Sequence, residues 1–141
     1  MSTKPRPVYT NVHVFTDLPG YRLPVAGFVS ILHRISGLLM FLLLPFVVWL
    51  FDTSVSSEIS FESFRSAFEA GIGFVPAVLV KLTVLALIWA YLHHLLAGLR
   101  HLWMDSTHAV SKEQGKGSAV VVLVLSIALT ALLGAKLFGL Y

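Results

Sequence analysis

Three apolar stretches, each long enough to cross a bilayer, decide what this chain can fold into. They run from about Val25 to Phe51, from Ala77 to Trp103 and from Ala119 to Leu140. About 20 apolar residues in a helix span ~30 Å of hydrocarbon, and a helix satisfies its own backbone there. The expected fold is an all-α membrane protein with three transmembrane helices in one domain over residues 1–141. Composition excludes the soluble alternative. The chain is 57% hydrophobic and 12% charged, whereas a soluble domain carries about a quarter charged residues. A chain this short cannot bury so much apolar surface in a water-soluble core.

The punctuation between the spans is clear. Residues 1–24 form a polar tail rich in proline and lacking an apolar signal region, so a mature bacterial inner-membrane protein is expected. Pro45 should bend the first span, because it removes a backbone donor. Residues 52–76 read as a polar loop with a short amphipathic helix at FESFRSAFEA. The second connection, Asp105 to Ser118, carries Lys112, Lys116 and an expected Gly115–Lys116–Gly117 turn. Cysteine is absent. Any metal held by this chain must therefore use histidine or carboxylate.

Lys4, Arg6, Arg22, Arg34, Arg100, Lys112 and Lys116 fall on one side of the membrane; Arg65, Lys81 and Lys136 fall on the other. The basic side is the cytoplasmic one, so the N-terminus should lie inside and the C-terminus outside. This orientation brings the start of the first span and the end of the second to the same membrane face.

Two polar constellations then meet at one depth. In LHHLLAGLRHLWMD, residues 92–105, the positions His94, Gly98, His101 and Asp105 form one helical stripe. A neutral imidazole at the depth of His94 suits an axial position on a haem iron. Gly98 would leave room for a porphyrin face, with Arg100 and His101 at the level of its propionates. The alternative is a hydrogen-bonded packing histidine beside ordinary interface residues, and His93 competes for the ligand role. In GFVSILHRISG, residues 27–37, Ser30 and Arg34 share a face with His33 beside them. An arginine so close to hydrocarbon needs an anionic or strongly accepting partner. A quinone oxygen held by Ser30 and Arg34 is one reading; an arginine reaching for lipid phosphate is the other.

Taken together, SILHRISG, HLLAGLRHLWMD and the earlier RPVY resemble the cytochrome b subunit of bacterial succinate dehydrogenase across nearly the whole chain. The resemblance implies haem b ligated by His94, with the second axial histidine supplied by a second small membrane subunit. It implies ubiquinone binding by Ser30 and Arg34, with Asp105 supporting the quinone side, and a haem-propionate environment of His33 and Arg34. Implied partners are that second anchor, an iron–sulfur subunit and a flavoprotein; alone, the chain would catalyse nothing. Two rivals stand beside this reading. One is a fumarate reductase anchor of the same architecture, and the other is a haem-free structural three-helix protein.

Overall fold

The computed structural model describes His13, residues 15–17, 20–108 and 111–141. The RPVY motif and the basic residues Lys4 and Arg6 lie outside the described residues.

Five helices carry almost all of the described chain: α1 Val25–Leu42, α2 Leu44–Val55, α3 Glu58–Glu69, α4 Ala77–Thr107 and α5 Lys112–Leu137. Three of them, α1, α4 and α5, are long and apolar enough to cross a membrane. The expected all-α architecture with three spans is what the chain forms.

Proline decides the shape of the first span. The helix breaks at Leu43, whose backbone (φ −91°, ψ 3°) leaves the helical region, and Pro45 sits in the first turn of α2. That is where its missing N–H costs nothing. The bend expected at Pro45 is thus a break two residues upstream.

The polar loop is more ordered than its composition suggested. Helix α3 starts at Glu58, three residues before the expected segment, because Ser57 and Ser60 cap its end reciprocally. Phe64 lies 5.8 Å from Phe61 and 5.1 Å from Phe68 between ring centroids, forming an aromatic row along α3. A small antiparallel hairpin, β1 Gly71–Ile72 and β2 Val75–Pro76, then delivers the chain into α4. Gly71 (φ +107°) and Gly73 (φ +58°) supply the left-handed backbone this turn requires.

The second connection is shorter than expected. Helix α4 runs to Thr107, His108 turns in the left-handed region, and α5 begins at Lys112. The expected Gly115–Lys116–Gly117 turn is corrected by this: those residues are helical. A reciprocal cap between Ser111 and Gln114 starts α5 upstream of them. It prevails over a helix cost of about 1 kcal/mol per glycine.

Helix α4 packs against both α1 and α5, and α1 also touches α5. The contact is made by small residues: Val29, Ala97, Ala119 and Val122 form the buried cluster, with Val25, Ala26, Leu96 and Leu123 against it. Small side chains let helix backbones approach closely, which is how helices associate when surrounding lipid is as apolar as leucine. Large apolar residues such as Phe41, Leu102 and Leu132 face outward. At Gly134 an added Cβ would lie 2.7 Å from Leu85, so α4 and α5 also close tightly at their other end.

Candidate functional site

The polar residues of α4 divide into two neighbouring stripes with different partners. Ala90, His93, Ala97 and Arg100 are buried. His94, Gly98 and His101 are half-buried, and Asp105 is exposed.

The second stripe meets α1. His94 Nδ1 lies 3.0 Å from the carbonyl oxygen of His33. A carbonyl only accepts, so Nδ1 carries the hydrogen and a neutral His94 keeps its lone pair on Nε2. Ser36 Oγ donates to the same carbonyl at 2.8 Å and sits 3.3 Å from His94 Nδ1. The His33 ring stacks on His94 with centroids 4.1 Å apart, and His101 lies 5.5 Å from His33. Three imidazoles therefore gather between α1 and α4. His33 Nε2 is buried and has no hydrogen-bond partner among the described residues. An orphaned nitrogen there, beside an imidazole whose Nε2 is left to ligate, is the donor set a haem and its propionates need.

The two glycines of the cluster differ. At Gly98 an added Cβ would meet His33 Nε2 at 3.9 Å, an ordinary van der Waals contact, so the His33 ring lies over that face of α4. At Gly37 it would lie 3.0 Å from His94 Cε1 and 3.3 Å from Nδ1. Gly37 is what lets the His94 ring lie against the backbone of α1. Neither this role nor that of the His33 carbonyl and Ser36 was read from the sequence. The signal was available in the Ser–Gly pair one turn after His33.

His93 belongs to the other stripe. It is fully buried, its Nδ1 is 3.3 Å from Ser126 Oγ on α5, and its ring stacks on Trp89 at 5.4 Å. Ser126 gives its own hydrogen to the Leu123 carbonyl and so accepts from His93. Arg100, expected at the propionate level, is turned the same way. Its Nε donates to Ser118 Oγ at 2.9 Å and its Nη2 to the Gly115 carbonyl at 3.2 Å. His93 and Arg100, seven residues apart, share one face of α4, and the one-residue offset from His94 and His101 turns that face by about 100°.

Ser30 is half-buried and Arg34 exposed, one turn apart on α1. Asp105 is exposed at the end of the His94 stripe. Among the described residues the side chains of Arg34 and Asp105 form no ion pair, the ion pairs present being those of Arg65. Because α1 and α4 run antiparallel through His33–His101 and Ser36–His94, Ser30, Arg34 and Asp105 lie toward the same membrane face.

Fold and site together define a multi-pass helical membrane protein with an imidazole cluster between two spans, bordered by an exposed arginine and a hydroxyl. Residues 2–133 match the family model of the succinate dehydrogenase/fumarate reductase transmembrane subunit, and the chain belongs to that family. It is 34% identical over 118 residues to the succinate dehydrogenase cytochrome b556 subunit of Coxiella burnetii, covering 84% of this chain and 90% of that one. It is 30% identical over 112 residues to the protein of the same name from Paracoccus denitrificans, covering 79% and 81%. The Rickettsia felis protein of that name is 26% identical over 133 residues, covering 94% and 98%.

Proposed function

We propose that this chain is the haem b-binding membrane anchor of a succinate dehydrogenase complex and contributes to its ubiquinone-reduction site. The observation that carries the reading is the His94 Nδ1–His33 carbonyl bond of 3.0 Å. Metal-bound histidines characteristically donate their other N–H to a carbonyl or carboxylate, which fixes tautomer and ring orientation. His94 is arranged that way and is only partly buried. His93, enclosed between helices, has no space beside it for a macrocycle.

When bound, haem b supplies one-electron redox chemistry. The chain's part is binding, orientation and electrostatics. His94 Nε2 would ligate the haem iron, with the second ligand supplied by a second anchor subunit. His33, whose Nε2 has no partner among the described residues, His101 and Arg34 would receive the propionate carboxylates, and Gly98 leaves room for the His33 ring against α4. Arg100, committed to α5, is left out of this set.

Ubiquinone takes up two electrons and two protons to become ubiquinol. Electrons reach the membrane from a flavoprotein that oxidises succinate, through an iron–sulfur subunit docked on the anchor. Arg34 and Ser30 hold a quinone oxygen, the guanidinium stabilising negative charge as it develops, and Asp105 supports the same side. The complex lies in the bacterial inner membrane with this chain's N-terminus cytoplasmic. Succinate oxidation is preferred to fumarate reduction because the similar relatives carry the succinate dehydrogenase name.

The test is a reduced-minus-oxidised absorption spectrum of the complex purified through a tag on this chain. A b-type band that develops on adding succinate supports haem, partners and electron connection together. An intact preparation without such a band would remove His94 from the ligand role.

A further inference from the structure

Arg100 stands outside the histidine cluster and poses a problem of its own. It is only 7% exposed, and the two groups it bonds, Ser118 Oγ and the Gly115 carbonyl, are neutral. Among the described residues no carboxylate pairs with it, the ion pairs being those of Arg65 with Glu62 and Glu69. A guanidinium carries five N–H donors, and two are used. A buried, uncompensated cation in a membrane helix calls for an anion.

The space for one is beside it. A cleft of about 510 Å³ opens between α4 and α5, with Arg100 in its wall. Its chemistry changes along its length: Trp103 and Gln114 flank Arg100 at one end, and Leu96, Val121 and Leu125 line the other. From Gln114 to Leu125 the rise is about 16 Å, half of the ~30 Å hydrocarbon thickness. That is the depth of one leaflet. The polar end lies beside the N-terminal turns of α5, where the helix dipole, Lys112 and Lys116 add positive potential that outweighs the single negative charge of Glu113. Trp103 is placed as an interfacial anchor at the headgroup level.

We infer that this cleft binds an anionic phospholipid, its phosphate on Arg100 and one acyl chain along Leu96, Val121 and Leu125. The lipid neutralises the buried guanidinium and seals the outer edge of the α4–α5 contact. The site is independent of the haem and quinone reading, since Arg100 and the histidine cluster occupy different faces of α4.

The experiment uses the whole complex, purified through this chain, depleted of lipid in detergent and supplied with dioleoylphosphatidylglycerol or dioleoylphosphatidylcholine. Native mass spectrometry counts the lipid retained. The wild type should hold the anionic lipid roughly fivefold better than the zwitterionic one, and Arg100→Gln should abolish that preference. Leu125→Trp fills the apolar end while leaving Arg100 in place, and should lower retention of the anionic lipid comparably. It serves as the deciding variant if Arg100→Gln fails to assemble. Retention unchanged in either assembled variant overturns the inference. So does equal displacement by inorganic phosphate, which would mark a soluble anion as the ligand. Efficient cross-linking of Val121→Cys to the second anchor subunit would place a protein in the cleft, with the same consequence.

Discussion

The main-chain carbonyl of His33 receives two hydrogen bonds, one from Ser36 Oγ on its own helix at 2.8 Å and one from His94 Nδ1 on α4 at 3.0 Å. One backbone atom of α1 thus sets the orientation of an imidazole 61 residues away. The adjacent His93 is held by a different helix through Ser126. Neighbours in sequence are therefore assigned to different tasks, and substitutions should separate them.

His94→Ala should abolish or strongly alter the b-type spectrum while the helices still insert. His93→Ala should keep the spectrum but destabilise the α4–α5 contact by about 2–4 kcal/mol, through the cavity left between Trp89 and Ser126 and the lost hydrogen bond to Ser126, which still donates to the Leu123 carbonyl. Haem-to-protein ratios and thermal midpoints of the two complexes check this. Loss of haem in the His93 variant alone would reverse the assignment.

The glycines make a second contrast. Gly37→Ala places a Cβ 3.0 Å from the His94 ring, whereas Gly98→Ala meets only an ordinary contact at 3.9 Å. The Gly37 variant should lose haem or shift its midpoint potential. Gly98→Ala, whose Cβ meets the His33 ring only at ordinary contact distance, should be closer to wild type. Redox titration of both complexes distinguishes the cases.

Arg34→Ala removes a charged donor that forms no ion pair among the described residues. Charge-assisted hydrogen bonds contribute about 1.5–3 kcal/mol, so quinone reduction should fall roughly 10- to 100-fold. Succinate oxidation with a soluble artificial acceptor should be nearly unaffected. Equal losses in the two assays would indicate failed assembly rather than a quinone role.

Gly71→Ala tests the hairpin that leads into α4. The backbone there has φ +107°, and an added Cβ would overlap the Val75 carbonyl oxygen. The variant should open the segment 70–76, seen as faster cleavage by an added protease, with the haem spectrum unchanged. Gly73→Ala has open space around it and only its φ of +58° to contend with, so it should be milder.

Sequence by itself determined the solvent, the three spans, the helix boundary at Ala77 and the stripe His94–Gly98–His101–Asp105. These follow from local rules, namely the length of apolar runs and the 3.6-residue period. Local rules also erred where caps compete with composition: Ser57 and Ser111 started α3 and α5 earlier than their polar or glycine-rich stretches implied. What only the tertiary structure decided is which helix each polar side chain addresses. His93 and His94, or Arg100 and His101, differ by a rotation of about 100°, and that rotation has meaning only once α1 and α5 occupy their sides of α4. The same holds for Gly37, which became a contact surface for His94 only after a residue 57 positions later packed against it.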